Sequence, residues 1–140
     1  MSRILGIDYG LARVGLALSD PEGIIAQPWQ TLKRTDDETL INEIAVIVDE
    51  KKIEQIIIGY PINLSGEESE ISLIVKTFSN KLREALRNVK ITLRDERLSS
   101  VEASAAIREM GDRPSRDKGR IDSIAASLVL QGFLESRIAE

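Results

Sequence analysis

Acidic side chains stand at three places where a folding chain has little use for charge. The stretch Arg3-Ile4-Leu5-Gly6-Ile7-Asp8-Tyr9-Gly10 is a short apolar run, closed by an acid and then turned by a glycine. An unpaired carboxylate buried at such a strand end is costly, so it must be paired, protonated or metal-bound. Asp95 and Glu96 close a second strand-like run, and Asp122 opens an apolar helix. The chain has no histidine and no cysteine. That excludes an imidazole base, a thiolate nucleophile, a disulfide framework and a cysteine-based zinc site. What remains is oxygen-ligand chemistry of the Mg²⁺ or Mn²⁺ kind. Two such ions can hold a phosphate, activate a water and stabilise the departing oxygen without any imidazole.

Each acid also has a plain structural reading. Asp8 could cap the turn at Gly10, because Asp-x-Gly is common turn chemistry. The Asp95-Glu96 pair could be an exposed strand end paired with Arg94 or Arg97, which is worth little. Asp122 could simply suit the positive end of a helix. Its neighbours at i+3, i+4 and i+7 are Ala125, Ala126 and Val129, however. They give it an inward face, small enough for close approach to a sheet. Alternation along the strand leaves two choices for the middle position. Asp95 shares a face with Ile91 and Leu93, and Glu96 shares one with Thr92 and Arg94.

The elements that would position these acids follow from periodicity. Val14 to Ser19 reads as a strand returning from a tight turn, forming a hairpin with the first. A third strand spans Ile24 to Leu32, with Pro28 arguing for a sheet edge. Leu40, Ile41, Ile44, Ala45, Ile47 and Val48 recur at helical spacing. Ile53 to Ile58 is nearly continuous in apolar residues, as in a strand buried on both faces. Gly59-Tyr60-Pro61 stops it. A second helix carries Ile71, Ile74, Val75, Phe78, Leu82, Ala85 and Leu86, with Glu67, Glu68 and Glu70 at its start and Arg83 and Arg87 near its end. Lys90 to Arg94 alternates as a fifth strand. Ser99-x-x-Glu102 signals a capped helix stopping at Gly111. Residues 111–119 form a glycine-, proline- and charge-rich stretch that reads as a mobile loop. A last helix runs from Ile121 to about Ile138. The order β-β-β-α-β-α-β-α-α needs parallel crossovers after the initial meander. It predicts an α/β fold with a mixed five-stranded sheet in the order 3-2-1-4-5 and helices on both faces.

The 140 residues suit one domain with one core. No apolar stretch is long enough to cross a bilayer, and no charged-then-apolar leader opens the chain, so the cytoplasm is the expected compartment and no membrane partner is expected. The net charge of −4 points mildly away from nucleic acid. Net charge is blunt, because an acidic catalytic cluster lowers it and bound divalent ions reverse it locally. Arg108, Arg113, Arg116, Lys118 and Arg120 form a late basic group, interspersed with Asp112 and Asp117.

Four stretches, in order, resemble the YqgF family, also called RuvX. They are Gly6-Ile7-Asp8-Tyr9-Gly10 with Arg13-Val14-Gly15 and Ser19-Asp20; Gly59-Tyr60-Pro61-Ile62-Asn63 with Gly66; Asp95-Glu96-Arg97-Leu98-Ser99-Ser100-Val101-Glu102-Ala103; and Lys118 with Ile121-Asp122-Ser123-Ile124-Ala125-Ala126 and Leu130-Gln131. The resemblance runs the full chain. It implies a ribonuclease-H-like fold and a nuclease, described either as maturing pre-16S ribosomal RNA or as resolving Holliday junctions. Carried over by position, it implies Asp8, Glu96 and Asp122 as catalytic acids holding Mg²⁺ or Mn²⁺, with Asp95 the alternative to Glu96. Backbone-binding residues would be Arg13, Asn63, Ser65, Arg97, Arg116 and Lys118. Two positions depart from the pattern. Ala12 replaces a lysine, and Tyr60 replaces a leucine, offering either a stacking surface or a packed strand end.

The expected activity is therefore metal-dependent hydrolysis of phosphodiester bonds in structured nucleic acid. Precursor ribosomal RNA, with ribosomal particles as further partners, is the first choice and a DNA junction the second. Two other classes compete. One is a nucleotide-binding domain of the actin and sugar-kinase type, though such proteins clamp nucleotide between two domains. The other is a ribosome-assembly or transcription factor without activity, against which the intact acids count.

Overall fold

The computed structural model describes residues 3–61, 65–95 and 118–139. Five strands form one sheet: β1 (Arg3–Tyr9), β2 (Arg13–Ser19), β3 (Ala26–Lys33), β4 (Ile53–Tyr60) and β5 (Lys90–Asp95). The sheet order is β3-β2-β1-β4-β5. The β1–β2 and β2–β3 pairs are antiparallel, and β1–β4 and β4–β5 are parallel. Among the described residues three helices cover the sheet: α1 (Asp37–Lys51), α2 (Glu70–Ala85) and α3 (Lys118–Ala139). The predicted architecture and strand order are those found. The capped helix expected from Ser99 to Gly111 lies outside the described residues, as does the expected 111–119 loop up to residue 117; its last two residues, Lys118 and Gly119, are helical instead.

Alternation divides the sheet's side chains between two cores. Leu5, Ile7, Tyr9, Ile56 and Ile58 point towards α1 and α2, around the fully buried Phe78. Ile4, Ala17 and Ile57 point the other way, against Ala126, Val129, Leu130 and Leu134 of α3. β1 and β4 are thus buried on both faces, which is why they read as continuous apolar runs.

Local chemistry sets the boundaries. The third strand begins at Ala26, not Ile24. The Asp20 carboxylate accepts hydrogen bonds from the backbone N–H groups of Ile24 (2.7 Å) and Ile25 (2.8 Å), which holds them in a loop. Both isoleucines are exposed. Pro28 sits on the edge strand opposite Ala17, where the β2–β3 register shifts, as a residue without an N–H requires. Asp36 caps α1 by accepting from the Thr39 N–H at 2.7 Å. Lys52 ends α1 in the left-handed region at φ 54. Ser69 and Ser72 form a reciprocal capping box at the start of α2. α3 begins three residues earlier than the sequence indicates, at Lys118. Its Gln131 accepts from the Ala26 N–H at 2.8 Å, tying the helix to the start of β3.

Candidate functional site

Asp8 lies one residue from the end of β1, and its position in the pleat fixes which way it faces. Leu5, Ile7 and Tyr9 belong to the core under α1 and α2. Ile4 and Gly6 face α3, and Asp8 continues that row. Its partner across the β1–β2 ladder is Gly15. Gly15 has no side chain because α3 occupies the space: a Cβ built there would lie 2.0 Å from the carbonyl oxygen of Asp122. Gly6 does the same for the next turn of the helix, where a Cβ would lie 3.0 Å from the Ala126 carbonyl oxygen and 2.9 Å from Leu130 Cβ. Two glycines on neighbouring strands therefore form a notch that seats the backbone of α3. Asp122 is brought beside the strand pair that carries Asp8.

The sequence locates the close approach in the alanines of α3. The structure shows that the sheet contributes as much, through Gly6 and Gly15. A glycine inside a strand is the available signal, since it marks a place where another backbone comes near.

Arg13 opens β2 on the same face as Gly15 and Ala17. Its Nε donates to Asp122 Oδ2 at 2.7 Å. The side chains are 41% and 21% exposed, so water screens the pair and its contribution to stability is at most about 1 kcal/mol. Its consequence is geometric: it fixes a cation and a carboxylate over the end of β1.

Asp95 is elsewhere. It ends β5 opposite Tyr60, in the row of Ile91 and Leu93, which belong to the core under α1 and α2. That is the opposite face of the sheet from Asp8. Arg94, its neighbour, lies on the α3 side, within 3.2 Å of where a Cβ on Gly132 would stand. Glu96, Asn63, Arg97 and Arg116 lie outside the described residues. Lys118 is the first residue of α3, and nothing further is described of its side chain. Ser65 is exposed in the turn before α2. Tyr60 packs against the larger core, so it is the packed strand end rather than a stacking surface.

Behind this corner lies a network that sequence reasoning missed. The Tyr9 hydroxyl donates to Asp37 Oδ1 at 2.7 Å. Arg34 Nε donates to the Tyr9 hydroxyl oxygen at 2.8 Å and to Asp37 Oδ1 at 3.1 Å. Lys81 Nζ stands 3.5 Å from Asp37 Oδ2. Burial, reinforced by the hydrogen bond and charge of Asp37, pushes the Tyr9 phenol up to about 12. For Asp37 burial opposes ionisation, but the bonds from Tyr9 and Arg34 and the charges of Arg34 and Lys81 outweigh it and hold the carboxyl below its usual range. No local sequence signal marks this cluster, because its members come from three separate elements and a loop.

Residues 2–136 match the family profile described as "RuvX: Holliday junction resolvase". The chain belongs to the RuvX family. It is 37% identical over 136 residues to a protein of Acetivibrio thermocellus named "Putative pre-16S rRNA nuclease", covering 96% of each chain. A protein of Ruminiclostridium cellulolyticum with the same name is 39% identical over 138 residues, covering 98% of this chain and 96% of the relative. Among solved structures, the fold is similar to Thermus thermophilus RuvC bound to a Holliday junction substrate, with a TM-score of 0.63 at 11% identity over 99% of this chain and 97% of that one. The Fowlpox virus resolvase bound to Holliday junction DNA gives a TM-score of 0.57 at 16% identity over 97% and 99%. These identities establish the ribonuclease-H-like resolvase fold and no more. Membership of RuvX, a nuclease family, makes the chain a hydrolase acting on nucleic-acid ester bonds. It overrides the hint from the net charge of −4, because a whole-chain sum says nothing of where the charges sit. Among the described residues no helix is long and apolar enough to cross a membrane.

Proposed function

We propose that this RuvX-family chain is a single-domain, divalent-metal-dependent nuclease of the cytoplasm that trims the 5′ end of pre-16S ribosomal RNA during ribosome biogenesis. The observation that carries this reading is the seating of Asp122 on Gly15, the ladder partner of Asp8. It sets two acids from opposite ends of the chain on one face of the sheet. The names of the relatives from Acetivibrio thermocellus and Ruminiclostridium cellulolyticum support the RNA substrate.

The donor set suits hard cations. Asp8 and Asp122 supply carboxylate oxygens and no soft ligand. Among the described residues no three such groups are arranged to hold an ion, and Glu96 is the family's candidate for the third ligand. Mg²⁺ or Mn²⁺ held there would supply the activated water and stabilise the leaving oxygen. The chain's own residues do the rest. The β1–β2 ladder holds the backbone of Asp8 and the glycine notch holds that of Asp122, which pre-positions both residues on one face of the sheet. Arg13 lies beside Asp122 and half in solvent, where its guanidinium can take a phosphate oxygen of the scissile strand. Ser65, Asn63, Arg97, Arg116 and Lys118 would hold the flanking backbone.

A second reading, resolution of four-way DNA junctions, is favoured by the family profile's description and by the two resolvases that share the fold. Incubation with precursor ribosomal RNA and with a four-way junction, each with Mg²⁺ or Mn²⁺, separates them. Cleavage of the RNA by the wild type and not by Asp8→Asn supports the first. Cleavage of the junction alone supports the second, and cleavage of neither refutes both.

A further inference from the structure

The turn between β1 and β2 is only Gly10-Leu11-Ala12, yet its two arms carry Asp8 and Arg13. It is tight: a Cβ on Gly10 would lie 2.5 Å from the Arg13 carbonyl oxygen. Its outer residues reach into solvent, with Leu11 56% exposed. A turn like this, held only by its own ladder, frays readily. Here one residue straps it from outside the hairpin. The Arg34 backbone N–H donates to the Ala12 carbonyl oxygen at 2.9 Å. Its Nη1 donates to the Leu11 carbonyl oxygen at 3.3 Å.

Arg34 is itself held from behind. Its Nη2 pairs with Asp37 Oδ1 at 3.1 Å, with side-chain exposures of only 21% and 13%. Its Nε reaches both Asp37 and the Tyr9 hydroxyl. Tyr9 is the residue directly after Asp8, and its ring packs on Phe78 with centroids 4.6 Å apart. The phenol therefore sets the strand end from the α1 and α2 face, while Asp8 projects from the other. A guanidinium that bonds the turn, the phenol and the carboxylate together uses the fork that only arginine has.

We infer that Arg34, braced by Asp37 and Tyr9, is a positioning residue that holds the β1–β2 turn so that Asp8 and Arg13 face Asp122. The inference rests on the nuclease reading above for its effect on catalysis, but not for its effect on geometry. The phenol and carboxylate of this cluster lie on the α1 and α2 side of the sheet, the opposite face from Asp8. The cluster acts through the turn, from the far side of the sheet.

The test uses two readouts on Arg34→Ala, Arg34→Lys and Tyr9→Phe. The first is hydrogen exchange at the Arg13 Nε–H, followed by ¹⁵N NMR. That proton is held by Asp122, and a purely structural role for Arg34 would lower the melting temperature without moving it. Arg34→Ala should speed its exchange roughly tenfold or more, with Arg34→Lys and Tyr9→Phe smaller and in the same direction. The second is cleavage kinetics. A misplacement well under 1 Å should lower kcat by roughly tenfold with KM changed less than twofold. Unchanged Arg13 exchange in the folded variants, with only a lower melting temperature, overturns the inference. If Arg34→Ala fails to fold, the single-atom deletion in Tyr9→Phe still decides it. A wild type that cleaves nothing refutes the nuclease reading and leaves the exchange result standing.

Discussion

Gly15→Ala tests the geometry of the site most directly. The added methyl would stand 2.0 Å from the Asp122 carbonyl oxygen and 2.8 Å from the Ser123 nitrogen, and Cβ atoms essentially never come within 3.0 Å of such neighbours. Both obstacles are helix backbone, so no side chain can swing aside. The first turns of α3 must then withdraw from the sheet by about 1 Å, taking Asp122 away from Asp8. Overpacking of this kind costs roughly 1–3 kcal/mol, which at this chain length lowers the melting temperature by roughly 3–12 °C. A displacement of about 1 Å in a catalytic group costs on the order of a hundredfold in rate. The assay is cleavage of precursor RNA under single-turnover conditions at a temperature where calorimetry shows the variant folded. Gly132→Ala is the control. The nearest atoms to its methyl would be those of the Arg94 guanidinium, at 3.2 Å, a side chain rather than helix backbone, and alanine favours a helix by up to about 1 kcal/mol over glycine. It should fold and cleave as the wild type does. A Gly15→Ala protein that melts normally would refute the seating of α3 on β2. One that melts lower but cleaves at full rate would refute the claim that this seating sets the chemistry.

Four further outcomes are expected. Asp8→Asn should abolish cleavage and leave the metal-free protein folded by circular dichroism; an unfolded variant would make Asp8 a structural cap. Arg13→Ala should cost less than about 1 kcal/mol of stability by denaturant titration, because its ion pair is half exposed. It should also reduce the salt slope of nucleic-acid binding by roughly 0.7–0.9. Millimolar Mg²⁺ or Mn²⁺ should raise the melting temperature of the wild type more than that of Asp122→Asn, since a ligand bound only by the folded state stabilises it; equal shifts would place the ions elsewhere. Finally, the Tyr9 phenol titrates near 12 in the folded protein and near its ordinary value of 10.0 when unfolded. The folded state therefore keeps a proton that the unfolded state gives up. Stability present below pH 10 is lost as pH rises towards 12, by at most about 2–3 kcal/mol and by less where solvent screens the phenol. Tyr9→Phe should remove that fall from a melting curve series taken between pH 9 and 11.5.

The helix faces are legible in the sequence because they follow from burial, and the strand order because a hairpin meander followed by parallel crossovers leaves few arrangements. Ile53 to Ile58 reads as a doubly buried strand since both its faces meet helices, and Phe78 marks the inner stripe of α2 for the same reason. The face of Asp122 is legible from its small neighbours. What cannot be read are pairings between residues distant in sequence. The bond from Arg13 to Asp122 spans 109 residues and leaves no local pattern. Arg34, at the end of a strand and before a helix cap, looks like any exposed loop cation until its two carbonyl partners are seen. The start of β3 is misleading in the sequence because Ile24 and Ile25 have strand-forming side chains, whereas the Asp20 carboxylate claims their N–H groups for a turn.

The notch on β1 and β2 also bears on the order in which the chain is made. The floor of the proposed site, from Asp8 through Gly15 to Arg34, is translated in the first quarter of the sequence. Its roof, the opening turns of α3, arrives only after four-fifths of the residues have been joined. Contacts closed over so long a span form late in folding, after the local hairpin and the helix pairs. A ribosome still synthesising this protein therefore carries a hairpin with one acid and no helix to complete it. Until α3 docks, Asp122 cannot join Asp8 on the face of the sheet, and the proposed site stays incomplete on the nascent chain.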